Sequence, residues 1–183
     1  YTEAGLSALA ARLVSAQTNM ARLVVCNGVL QGAGYRPERA LAQIESTAMH
    51  QVFEVNTFLP MRILSAMAPL LKTSAAPIVA ALSARVGSLG DNRRGGWYSY
   101  RMTKAALNMF IKTLSIEWGR KSPESCVVAL HPGTTDSGLS KPFQAGIAEG
   151  KLYSQKDTAQ RLIKVMRELT PAQHGRLLHW DGS

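Results

Sequence analysis

The chain has 183 residues, 46% hydrophobic and 18% charged, enough apolar material for one buried core and too much for a disordered tract. Its net charge of +9 comes from 21 basic and 12 acidic residues spread along the chain, with no basic stripe interleaved with stacking aromatics, so a nucleic-acid-binding role is not expected. No apolar run of about 18 residues appears, which argues against a transmembrane helix and a membrane partner.

Apolar residues at helical intervals in "LSALAARLVSA" predict an amphipathic first helix. Residues 21–27, "ARLVVCN", read as a short buried strand running into a loop. The Gly-rich stretch 28–44 follows as loop, and "GAGYRP" within it lacks the third glycine and the following helix of a phosphate-binding turn. A long helical pattern then covers residues 46–71, mildly interrupted by Pro60 and Pro69. "APIVAALSA" is the second strand, "RVGSLGDNRRGG" a polar loop, and residues 98–119 a second long helix. "CVVALHPG" is the third strand, residues 156–168 a helix, and "HGRLLHW" the last strand. Strands alternating with helices predict one α/β domain over 1–183, a doubly wound, Rossmann-type parallel sheet with helices on both faces and right-handed crossovers.

Cys26 and Cys126 both fall in apolar strand-like runs, which predicts reduced, buried thiols and an intracellular, cytoplasmic protein. His50, His131, His174 and His179 have no metal-ligand spacing with them or each other, so no metal site is expected.

Ligands of such sheets bind beyond the carboxyl ends of the strands. Asn27, Ser83 and Pro132-Gly133 lie at three of those ends. In "GGWYSYRMTKAAL", Tyr100 and Lys104 are four apart, so one helical turn puts them on the same face, whereas Tyr98 has Met102 at that spacing. An ammonium beside a phenol favours the phenolate and makes proton exchange with an alcohol or carbonyl oxygen feasible.

Taken in order, "CNGV", Asn56 in "VFEVNTFLP", Ser83 in "VAALSARVGS", Tyr100-x-x-x-Lys104 and Pro132-Gly133 in "VVALHPGTTD" resemble the short-chain dehydrogenase/reductase family, within it the C-factor-like and sniffer-like carbonyl reductase group. The resemblance implies an NAD- or NADP-dependent oxidoreductase acting on a small-molecule carbonyl or alcohol. Tyr100 would carry the proton. Lys104 would lower the Tyr100 pKa and bond the nicotinamide ribose, and Asn56 would hold a water linking Lys104 to solvent. Asn27 and Gly28 would line the adenosine side, with Pro132, Gly133, Thr134 and Thr135 near the nicotinamide. It also implies a homodimer or homotetramer formed through the two long helices, with Met49, Phe53, Met109 and Phe110 as candidate contacts, and a lid within residues 136–154.

Two departures stand out. Cys26 replaces the first Asn of the family's Asn-Asn-Ala-Gly loop, leaving Asn27 as the surviving counterpart. Ala84 stands where the second Ser of Ser-Ser-x-x-Gly assists the tyrosine, so Ser83, or Ser88 after a loop shift, is the remaining candidate. The Ala84 substitution favours an alternative: a cofactor-binding signalling or regulatory protein with little catalysis. The family's opening strand, Gly-rich turn and two further strands do not occur here, and an N-terminal segment carrying them is expected upstream of Tyr1. Without them the strand at 21–27 would lie at an exposed edge.

Overall fold

The computed structural model describes residues 1–183. Helix α1, Glu3–Ser15, is capped by Thr2, whose hydroxyl accepts from the Gly5 N–H at 3.1 Å. Strand β1, Arg22–Val25, ends before Cys26, which is therefore exposed at the strand's end; the expectation of a buried thiol holds only for Cys126. Helices α2, Ser46–Phe53, and α3, Leu59–Leu71, form one rod interrupted by a π-helical turn at Glu54–Phe58. The break thus precedes Pro60, which has no N–H to give the Asn56 carbonyl four residues back. Strand β2, Ile78–Leu82, helix α4, Tyr98–Lys121, and strand β3, Cys126–His131, follow. A small parallel pair joins β4, Thr134–Thr135, just before the predicted lid, to β5, Leu152–Tyr153, near the lid's end. Helix α5, Gln155–Arg167, leads to β6, Leu177–His179.

The main sheet is wholly parallel in the order β1-β2-β3-β6. Its core splits by strand alternation. Val79, Ala81, Val127 and Ala129 pack against α3 and α4 through Leu64, Leu71, Leu107 and Ile111. Ala80, Val128, Leu130 and Leu178 pack against Leu162 and Val165 of α5 on the other face. Helices do cover both faces, but the expected uniform hand fails. The β2-α4-β3 and β3-α5-β6 connections step the same way across the sheet on opposite faces, so their hands are opposite. The long excursion at 132–154 carries the chain across the strand ends before α5 begins, and so makes the change of face possible. Strand β1 is an edge, and Val24 on it is exposed. No helix is long and apolar enough to cross a membrane.

Candidate active site

Two adjoining cavities lie beyond the carboxyl ends of β1, β2 and β3. The smaller, about 720 Å³, is lined by every predicted site residue except Asn56: Asn27, Gly28, Ser83, Tyr100, Lys104, Pro132, Gly133, Thr134 and Thr135. Tyr98 does not line it.

Tyr100 sits in the first turn of α4, and that helix start is built by the loop before it. Gly95 and Gly96 take positive φ at no steric cost, and Trp97 follows at φ 56. The helix has no N-cap side chain of its own. Glu38 supplies one from across the loop: its carboxylate accepts from the Ser99 N–H at 3.2 Å and from the Ser99 hydroxyl. The Arg101 guanidinium donates to the carbonyls of Gly96 at 2.9 Å, Gly95 at 3.1 Å and Val86 at 3.3 Å, clasping the loop to the helix. At Gly87 a Cβ would fall 2.7 Å from the Lys104 carbonyl carbon, so only glycine lets the loop pass this close.

Tyr100 and Lys104 are both buried, 8% and 3% exposed, and the lysine nitrogen lies 5.8 Å from the centre of the tyrosine ring. Lys104 Nζ donates to the Leu82 carbonyl at 2.9 Å. The expected electrostatic lowering of the phenol is absent: burial pushes Tyr100 up to about 12 and Lys104 down to about 8. Loss of water outweighs the attraction because each group is charged in only one of its forms, and that form is the one burial penalises. At neutral pH the site therefore presents an intact phenol, a proton donor, beside an amine that is still mostly protonated.

Asn56 is fully buried behind the cavity. Its side chain accepts from the Val29 N–H at 2.8 Å, and donates to the Val29 carbonyl at 2.8 Å and to Thr103 Oγ1 at 3.1 Å. It thereby ties the loop after β1 to the helix bearing Tyr100 and Lys104. Asn27 Nδ2 donates to the Val55 carbonyl, while its buried Oδ1 has no protein partner. Ser83 gives its hydroxyl proton to Asn108 Oδ1 at 2.6 Å, tying β2 to α4, and Ala84 lines the cavity with a methyl group. Ser88 does not line it. Gly133 has φ 76, and a Cβ there would meet Trp180 Cδ1 at 2.9 Å, so the Pro-Gly turn rests directly on that ring. Thr135 pairs its hydroxyl with Thr158 at 2.9 Å, joining β4 to α5.

Several lining residues escaped sequence reasoning. Trp97 meets Tyr100 edge-on at 6.2 Å and Phe143 of the 136–154 segment at 5.0 Å, a contact no local pattern announces. His131 stands beside Ser83 at the end of β3. Burial, with the nearby His179 and Arg85, brings its pKa down to about 4, and its Nδ1 has no partner. The "HPG" triplet was its only signal.

Residues 6–148 match the short chain dehydrogenase family. The chain is 34% identical over 182 residues to the 1-hydroxy-2-glutathionyl-2-methyl-3-butene dehydrogenase of Rhodococcus sp. strain AD45, covering all of this chain and 75% of that one. This chain belongs to the short chain dehydrogenase family. It is an oxidoreductase of that group. It is also 34% identical over 145 residues to the C-signal protein of Myxococcus xanthus, covering 79% of this chain and 81% of that one. Its fold overlays the carbonyl reductase Sniffer of D. melanogaster with a TM-score of 0.85 at 20% identity, spanning all of this chain and 73% of that one. The NADPH-bound carbonyl reductase from chicken fatty liver overlays at 0.81 and 22% identity, spanning all of this chain and 72% of that one.

Proposed function

We propose that this protein interconverts a carbonyl and an alcohol, with Tyr100 carrying the proton and NAD or NADP as redox partner. One observation carries the reading: a phenol and an amine are buried together in a cavity at the carboxyl ends of parallel strands. The NADPH in the chicken reductase and the alcohol in the name of the Rhodococcus relative support it.

The residues present fit a nicotinamide nucleotide. Asn27 Oδ1 is a buried acceptor lacking a partner, and glycine at 28 keeps the space beside Lys104 Nζ and Asn56 Oδ1 open, where a Cβ would lie 3.6 Å from each. Asn27 and Gly28 would hold the adenosine side, Lys104 and Tyr100 the nicotinamide ribose, and Pro132, Gly133, Thr134 and Thr135 would wall the ring. When bound, the nicotinamide supplies or accepts the hydride. In reduction, Tyr100 gives its Oη proton to the substrate oxygen, and the Lys104 ammonium stabilises the phenolate left behind. Asn56 positions both through Val29 and Thr103. Its carbonyl, without an N–H from Pro60, is the acceptor we assign to a water leading from Lys104 to solvent. Ser83 takes up a donor role only by releasing Asn108.

Tyr100→Phe in the full-length protein is expected to retain cofactor affinity while losing at least about 10²-fold in turnover of aldehydes and ketones with NADH or NADPH. Unchanged turnover would refute the assignment. Ala84 favours a second reading, a cofactor-binding signalling protein, in line with the C-signal relative. Cofactor binding without turnover of any carbonyl in a broad screen would select it. For assembly, Met102, Met109 and Ile116 recur every seventh residue along α4 and are all exposed, and we propose that this stripe is the seam of a homodimer or homotetramer.

A further inference from the structure

The larger cavity, about 1150 Å³, is lined largely by the loop 28–43, of which only Gly28 belongs to a motif. It joins the Tyr100 cavity through shared residues, among them Leu30, Trp97, Leu139 and Phe143. None of Lys104, Pro132, Gly133, Thr134 or Thr135 reaches it. The residues suited to the nicotinamide ring and its ribose therefore stand on one side of the Trp97-Phe143 wall and this space on the other, with Gly28 bordering both. It is larger than the reaction cavity itself, so it suits an extended part of a substrate.

Its charge is one-sided. Arg36 and Arg39 line it, Arg94 lines the adjoining cavity, and the chain's one side-chain ion pair is Arg62 of α3 with Glu54 of the π-helical turn, elsewhere in the fold. Glu38 is the carboxylate in the cavity lining, and it is buried and already engaged by the amide and hydroxyl of Ser99. Gln31 and Gln43 add amide groups, although Gln43 Oε1 accepts from the Arg39 and Ala40 N–H groups at 2.7 and 3.2 Å. The apolar neck, the Arg36 and Arg39 guanidiniums beyond it and Arg94 on the near side thus match a molecule with a compact reacting end and a polar, anionic tail. The three guanidiniums come from separate loop positions across both cavities. That arrangement suits carboxylates spaced along an arm better than one compact polyanion.

We propose that the physiological substrate carries an arm bearing two or more carboxylates, and that the loop 28–43 is the subsite for that arm. The proposal rests on the carbonyl/alcohol reading of the adjoining site. The three arginines are exposed, so their attraction is screened, and each contributes a modest factor.

The test uses the full-length protein and a matched pair of aldehydes, 4-formylbenzoyl-Gly-Glu and the same compound with both carboxylates amidated. The dicarboxylate is expected to show about tenfold higher kcat/KM in low salt, carried by KM, with the ratio falling toward one in 0.5 M NaCl. The double variant Arg36→Gln/Arg39→Gln is expected to lose the preference and keep the turnover of the diamide. Equal kcat/KM for the pair at low salt, or a preference surviving in the double variant, overturns the proposal while leaving the Tyr100 chemistry intact. Absence of turnover with both compounds counts against the enzymatic reading. Calorimetric titration with benzoyl-Gly-Glu against its diamide then decides the subsite: salt-sensitive binding of the diacid, lost in the double variant, supports it, and equal binding or none refutes it.

Discussion

Lys104→Met is expected to stabilise the fold at neutral pH while removing activity. Lys104 is 3% exposed, pairs with no carboxylate, and has the Leu82 carbonyl as its hydrogen-bond partner. Burial lowers its pKa from 10.5 to about 8. Between those values the unfolded chain holds more protons than the folded one, so wild-type stability rises with pH through that window, and the penalty is complete below pH 8. At about 1.4 kcal/mol per pH unit the full penalty is on the order of 3 kcal/mol, most of it relieved between pH 6 and pH 10. Methionine keeps the apolar bulk and removes the charge, at a pH-independent cost of about 1–3 kcal/mol for the unpaired Leu82 carbonyl. The pH dependence of the difference is therefore the diagnostic quantity. Urea unfolding of both proteins from pH 6 to pH 10 should show the variant's advantage shrinking by roughly 2–3 kcal/mol as pH rises. A pH-independent difference refutes the argument that an uncompensated ammonium is buried there.

Gly87→Ala should lower stability by about 1–3 kcal/mol in denaturant unfolding and reduce kcat, since its Cβ would meet the backbone of Lys104 and displace α4. Carbonyl reduction needs both the Tyr100 phenol and the Lys104 ammonium, so kcat/KM should fall as pH rises through about 8, while Tyr100 stays protonated to about 12. A pH–rate profile flat to pH 10 would remove Lys104 from that role. Met109→Glu, on the most exposed methionine of the α4 stripe, should shift light-scattering mass toward the monomer and leave the fold's circular dichroism unchanged.

Much of the fold was readable because its elements are locally specified. The apolar runs at 78–82 and 126–131 read as buried strands by their length and their flanking turns, and the sequence locates α4 to within two residues at its end. The π turn at 54–58 was not seen, since it depends on Pro60 withholding a donor from Asn56, although the proline was visible. The change of face between α4 and α5 was hidden, because neither helix encodes which side of the sheet it will cover.

Within the site, the sequence by itself determined which residues meet. Tyr100 and Lys104 share a helix face, and strand ends carrying Asn27, Ser83 and Pro132-Gly133 must converge in a parallel sheet. Tertiary structure decided their state. It buried the phenol and the amine together, so loss of solvent rather than mutual attraction sets their protonation. It committed the Ser83 hydroxyl to Asn108, capped α4 with Glu38 from 61 residues away, and set Arg36 and Arg39 around a second cavity. Spacing along a chain fixes neighbours on one element, whereas desolvation and contacts between elements exist only once the chain has closed on itself.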